Sequence, residues 1–214
     1  MSTIAIIGVG NVGRTLAERI VDAGHEVVLA ARHAENASEV AAATGARAAA
    51  SPADAVSGAD IVILAVPSTV YGEIASDLGP SLAGKIVVDV SNKPTPDLSE
   101  LDAPAASAAE GLAALLPDSA VVKAFNTAFA SRMADPSVDG VAVDGFVAAD
   151  DEDAKARVLG LVGELGFRPV DAGPLPMARA LEAVAWLNIY LNLSQGGAWQ
   201  AGWKLIEPAT VAAA

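Results

Sequence analysis

Six residues near the N-terminus, Gly8-Val9-Gly10-Asn11-Val12-Gly13, constrain this chain more than any other stretch. They follow Thr3–Ile7, a five-residue run rich in β-branched side chains, and they open a helical pattern over residues 12–23. Glycines at this spacing between a strand and a helix have a geometric use. The first permits a tight turn, the second lets a ligand's pyrophosphate approach the backbone, and the third lets helix and strand pack closely. Free N–H groups at the helix start then face the phosphates. The other reading, a glycine turn with no ligand, explains less of this context.

A turn of this kind requires alternating strands and helices behind it, and the rest of the chain supplies them. Gly24 stands where a helix C-terminal glycine belongs, and residues 25–30 read as the second strand. Residues 39–44 look helical and 47–50 form a short strand. Ser51-Pro52-Ala53-Asp54 starts a helix, with Ser as N-cap and Pro at the first helical position. Apolar runs at 61–66, 86–90 and 121–124 read as strands, with a helix over 68–78. Residues 94–117, rich in Ala, Pro and Ser, divide into a loop and a helix over 105–116. A short strand at 146–148, an acid-started helix at 151–165, a strand at 167–170 and a long apolar helix over 177–193 complete the pass. The expected fold class is α/β, a Rossmann-type doubly wound parallel sheet with a small C-terminal α/β extension ending in that helix. Residues 1–130 are expected to bind the nucleotide. Residues 131–214 are expected to complete a second-ligand cleft and a dimer interface, as a separate lobe or within the same domain. The core must be aliphatic, because the chain is 53% hydrophobic but only 4% aromatic.

Composition removes several functional classes. A formal net charge of -13 disfavours nucleic acid and anionic membrane surfaces as partners. With no cysteine, thiolate nucleophiles, disulfides and cysteine-ligated metals are excluded; with only His25 and His33, no metal site is expected. The first strand starts at once, leaving no room for a signal peptide, and the late apolar stretch is interrupted by Arg179, Glu182, Asn188 and Asn192. A cytoplasmic location is therefore expected, with no membrane partner.

The second strand's end speaks to the type of dinucleotide. A carboxylate there accepts the ribose hydroxyls of NAD, whereas this chain has Ala30-Ala31-Arg32-His33. Arg32 suits the 2′-phosphate of NADP, with His33 assisting. The alternative is a solvated loop charge, with Glu35 close by to weaken the local field. Ala65, Val66 and Pro67, after the fourth strand, either lie along the nucleotide or simply stop a strand. Lys123 and Asn126, at the end of the sixth strand, are the catalytic candidates. They orient a substrate carbonyl or the nicotinamide amide, or else serve as a strand-edge lysine and a turn asparagine. Asp171, before Ala172-Gly173-Pro174, is more a turn residue than a ligand. Trp186, Tyr190, Trp199 and Trp203 read as a packing or dimer surface, or as a wall over a second ligand.

Together these segments resemble the deazaflavin (coenzyme F420)-dependent NADP reductase family over nearly the whole chain. The resemblance rests on residues 4–13, 28–32 and Val121-Val122-Lys123-Ala124-Phe125-Asn126-Thr127. It rests above all on Leu165-Gly166-Phe167-Arg168-Pro169-Val170-Asp171-Ala172-Gly173-Pro174-Leu175, followed by Ala178-Arg179-Ala180-Leu181-Glu182. It implies hydride transfer between NADPH and a deazaflavin stacked on the nicotinamide, a reaction that relies on proximity more than on an acid–base pair. The chain departs from the family pattern at three places. Ala31 replaces a Ser or Thr, Asn36 replaces a basic residue, and Ser91-Asn92-Lys93 replaces a Ser-Arg-Gly type segment. Lys93 alone remains to meet a polyanionic deazaflavin tail.

Two other functions fit the same residues. One keeps NADPH but reduces another small acceptor: a flavin, an imine or a carbonyl compound. β-Hydroxyacid dehydrogenases and imine reductases need a long helical C-terminal domain, for which roughly 90 residues after the sixth strand are too few in cis. The other is a sensor that binds NADP without turnover. The late apolar helix favours a homodimer in either case.

Overall fold

The computed structural model describes residues 1–93 and 106–206. In chain order its elements are β1 (Thr3–Ile7), α1 (Asn11–Asp22), β2 (Glu26–Ala30), α2 (Ala34–Thr44), β3 (Arg47–Ala48), α3 (Pro52–Ser57) and β4 (Ile61–Leu64). After a 3-10 turn at Ser68–Val70 come α4 (Tyr71–Leu82), β5 (Ile86–Asp89), α5 (Ala108–Leu115), β6 (Ala120–Ala124) and α6 (Ala130–Ala134). The strands β7 (Ser137–Val138) and β8 (Val141–Ala142) form a separate small hairpin. Then follow β9 (Asp144–Ala149), α7 (Glu152–Glu164), β10 (Arg168–Gly173), a 3-10 turn at Leu175–Met177 and α8 (Ala178–Gln195).

Eight strands form one sheet in the order β10-β9-β6-β5-β4-β1-β2-β3. The six from β3 to β6 are all parallel, and the order reverses between β1 and β4, both of which start from the sheet's centre. Such a reversal opens a crevice at the strands' carboxyl ends. β9 pairs antiparallel with β6, and β10 parallel with β9, so the sheet continues past residue 130.

Alternation along each strand builds two cores. Ile4, Ile6, Val27, Leu29, Ile61 and Ile63 pack with Leu16, Ala17 and Ile20 of α1, and with α2 and α7. Ala5, Ile7, Val28, Ala30, Val62 and Leu64 pack on the other face with α3, α4, α5 and the start of α8. Burial on both faces is why these strands read as unbroken apolar runs.

Several elements differ from expectation. α2 begins at Ala34 rather than at 39, because Ala37, Val40 and Ala41 form its buried stripe while the polar residues among them mask the period. α4 starts three residues late and runs through Gly79-Pro80, burying Leu78 and Leu82. Packing there outweighs the bond that Pro80 removes. β9 and β10 are each six residues long, and Asp171 lies inside β10 next to a bulge. It keeps turn chemistry, since its Oδ1 accepts from the Gly173 N–H at 2.8 Å. α8 is not a plain apolar helix. Its buried stripe includes Glu182, Asn188 and Asn192, while Leu187, Tyr190, Leu191 and Leu193 are exposed. Among the described residues no helix is long and apolar enough to cross a membrane. The loop expected over 94–104 lies outside the described residues.

Candidate functional site

The turn between β1 and α1 is shaped by two glycines that admit no side chain. Gly8 has φ +103° and hands its N–H to the Ala30 carbonyl at 2.8 Å. A Cβ on it would strike the Ala65 carbonyl and come within 2.9 Å of Val66 Cγ1. A Cβ on Gly13 would strike the Gly8 carbonyl and come within 3.2 Å of Ala65 Cβ. Gly10 is different: it is exposed, with nothing within 4 Å of where its Cβ would stand. It is the N-cap of α1 in extended conformation, with no side-chain cap and no acidic residue in the first turn. The N–H groups of Asn11, Val12 and Gly13 have no acceptor within the helix, so the positive end of α1 is left for an anion.

Above this turn opens a cleft of about 600 Å³. Of the residues expected to bind cofactor, Gly8, Gly10, Arg32, His33, Val66 and Pro67 line it. Asn11, Val12, Gly13 and Ala65 are not among its lining residues: Gly13 is buried, Val12 packs on the core, and Asn11 is exposed, its carbonyl accepting from Thr15 Oγ1 at 2.8 Å. Arg32 and His33 are exposed at the end of β2, and His33 is the N-cap of α2. Among the described residues Arg32 makes no ion pair. Arg14, Asn36 and the carboxylates Glu39, Glu73 and Asp77 also line the cleft.

Lys93, Lys123 and Asn126 do not line this cleft; they belong to a second polar group at the carboxyl ends of β5 and β6. Lys123 is fully buried, opposite Asp89 in the register. Its ammonium donates to Asp89 Oδ2 at 3.0 Å, to Glu182 Oε1 at 2.8 Å and to the Ser91 carbonyl at 2.5 Å, which uses all three of its protons. Tyr71 donates to Asp89 Oδ1 at 2.5 Å. Burial first, and the Asp89 charge second, push the Tyr71 hydroxyl far above its ordinary value, so it remains a donor. Glu182 also accepts from the Ala108 N–H at 2.9 Å and the Lys93 N–H at 3.3 Å. The expectation of Lys123 as a group facing ligand therefore meets a lysine whose charge and protons are all consumed internally.

Asn126 is buried beside this group. Its Nδ2 donates to Asn92 Oδ1 at 2.9 Å and to the Leu181 carbonyl at 3.1 Å, while its Oδ1 has no partner among the described residues. The preceding Phe125 holds φ +64°, a strained value for a bulky residue, and strain of this kind gathers at functional turns. Lys93 is exposed, with Nζ donating to the Ala106 carbonyl at 3.3 Å and its own carbonyl accepting from Trp186 Nε1 at 3.1 Å. Among the described residues the late aromatics form no ring pair with one another: Trp199 meets Phe129 edge-on at 5.1 Å, and Tyr190 is exposed.

Sequence reasoning missed Arg14 and the Asp89–Lys123–Glu182–Tyr71 group. A signal existed for each. A cation in a helix's first turn opposes the macrodipole and calls for an anion. A lysine within the apolar run Val121–Phe125 demands a buried acid, and Asp89 ends the neighbouring strand. Glu182, distant in sequence, carried no such signal. Among the described residues no group of three His, Asp or Glu side chains is placed to hold a metal ion.

A parallel sheet in this order, with a glycine turn at its first crossover and a crevice above it, defines a Rossmann-type protein of the dinucleotide-binding class. Residues 3–93 match the family described as NADP oxidoreductase, coenzyme F420-dependent. The F420-dependent NADP reductase of Methanothermobacter thermautotrophicus is 31% identical over 208 residues, covering 89% of each chain. This chain belongs to that family. A solved structure from Arthrobacter sp. FB24, given as an F420-dependent NADP reductase, superposes with a TM-score of 0.83 at 30% identity, over 97% of this chain and 100% of that one. The metalloreductase STEAP3 of Rattus norvegicus is 35% identical over 185 residues, 85% of this chain, and this chain spans about a third of it, 36%.

Proposed function

We propose that this chain, an NADP-linked oxidoreductase by family, holds NADP in the cleft above Gly8–Gly13 and exchanges a hydride between the nicotinamide and a deazaflavin. The observation that carries the reading is Arg32. A planar cation free of ion pairs among the described residues stands on the cleft rim, where an NAD site would place a carboxylate. The end of α1 binds the pyrophosphate, Arg32 and His33 take the 2′-phosphate, and Val66 and Pro67 follow the nucleotide toward the sheet's carboxyl edge. When bound, NADP supplies the transferable hydride. The protein's part is to orient the nicotinamide, exclude water and present the second ring in register. The uncapped α1 terminus and the open space at Gly10 fit the group.

Within this reading the β5–β6 edge, with the unpartnered Asn126 Oδ1 and the exposed Lys93, lies on the acceptor's side. The protein acts in the cytoplasm as a homodimer, with the exposed Leu187, Tyr190, Leu191 and Leu193 of α8 against a second copy. The similarity to a metalloreductase supports a second reading, in which the nucleotide half is the same and the acceptor is a flavin. The test is loss of reduced-nicotinamide absorbance with oxidised coenzyme F420 or a free flavin as acceptor, and with NADH in parallel. Turnover with NADPH and F420 is expected. Turnover with flavin alone selects the second reading, and nucleotide binding without turnover leaves an NADP sensor.

A further inference from the structure

We propose that Arg14 is a second phosphate-binding cation of the cleft, beside Arg32. The inference rests on the reading of the cleft as a nucleotide site. Arg14 is the fourth residue of α1 counted from Asn11, it is exposed, and it lines the same cleft as Arg32, His33 and Asn36. Helical side chains lean toward the N-terminus, and Arg14 shares the lining of the cleft with Gly10.

Its placement costs the folded protein something. The first turn of α1 contains no acid, so a cation there meets the helix's positive end uncompensated. Among the described residues Arg14 has neither an ion pair nor a hydrogen bond from its side chain to offset this. The other arginine in α1, Arg19, follows the dipole: it sits in the last turn and donates to the Leu165 carbonyl at 3.1 Å. A group that opposes its own helix and lacks a protein partner is poised for an anion from outside. In a chain of net charge -13, with Glu39, Glu73 and Asp77 lining the same cleft, a polyphosphate needs more than one cation to enter. Asn36, one turn into α2, offers an amide but no charge.

The chemistry recognised is a phosphate ester, and two lie within the same ligand: the 2′-phosphate and the pyrophosphate. Arg14→Ala and Arg14→Lys are titrated calorimetrically with NADPH, NADH, adenosine 2′,5′-bisphosphate and ADP, beside the wild type. Arg14→Ala is expected to weaken NADPH roughly tenfold, the scale of one charge-assisted hydrogen bond, with partial rescue in Arg14→Lys. A matching loss with the 2′,5′-bisphosphate assigns Arg14 to the 2′-phosphate. Matching losses with NADH and ADP assign it to the pyrophosphate. The ligand-free melting temperature of Arg14→Ala is expected to stay level or rise, since the change removes a charge opposed to the dipole and adds a better helix former. Unchanged affinity for all four ligands overturns the proposal, as does a fall in melting temperature that accounts for the loss. A wild type that binds neither NADPH nor NADH refutes the nucleotide reading itself, a result separable from any effect of Arg14.

Discussion

Two regions along one edge of the same sheet treat charge in opposite ways. At the β1–α1–β2 corner, Arg14 and Arg32 stand exposed without carboxylate partners among the described residues, over a helix end that no side chain caps. At the β5–β6 ends, Lys123 is wholly buried and spends every proton on Asp89, Glu182 and the Ser91 carbonyl. The first region is incomplete by itself and becomes complete with an anion. The second is complete already and acts as a clasp, joining α8 to two strand ends and to Tyr71. Substitution should therefore cost binding in one place and stability in the other.

The largest expected effect is at the clasp. Lys123→Met leaves Asp89 and Glu182 buried without their cation, and urea unfolding should show a loss of about 3–5 kcal/mol. A loss under about 1 kcal/mol would break the contrast, since it would mean that the group is hydrated or open to a ligand. The glycine turn divides the contrast within a few residues. Gly8→Ala adds a Cβ that strikes the Ala65 carbonyl at φ +103°, and should destabilise the fold by about 1–3 kcal/mol. Gly10→Val adds a Cβ with no protein atom within 4 Å and should cost about 1 kcal/mol or less as a changed N-cap, yet abolish nucleotide binding. Retained affinity in Gly10→Val would remove the turn from the site.

How much of this was legible in the sequence follows from where the relevant forces act. The glycine turn and Arg32 were readable because a local backbone path and a strand end carry their own signal. Strands β1, β2, β4, β5 and β6 were readable because burial on both faces makes each an apolar run. β9 running antiparallel to β6 was not, since pairing direction depends on where the chain goes between residues 124 and 144. Nor was the face of α8. Glu182 and Asn188 point inward to partners more than fifty residues away in sequence, Lys123 and the Thr127 carbonyl, and Asn192 follows them by bonding to Asn188 and Trp199. Arg14 was legible in principle, from its conflict with the helix dipole, but only once the start of α1 was fixed.

A smaller effect sharpens the comparison at the clasp's outer border, where Arg179 grips Glu110 through two bonds of 2.8 and 2.5 Å. That Arg179 contact holds the Glu110 carboxyl down from its ordinary 4.5 to about 2. A depressed carboxyl adds stability above its unfolded value and loses it as the pH falls through its folded value. Glu110→Gln should therefore melt below the wild type at neutral pH, with the gap closing as the pH drops from 4.5 toward about 2. A gap independent of pH would assign the loss to the helix cap at Ser107 instead.

The cleft is expected to select NADP through the cation at the end of β2. Calorimetric titration of the wild type and Arg32→Ala with NADPH and NADH tests it most directly. Tighter binding of NADPH by the wild type is expected, with a loss of roughly 10- to 100-fold in Arg32→Ala that spares NADH. Equal affinities in the wild type, or equal losses for both nucleotides in the variant, would contradict it.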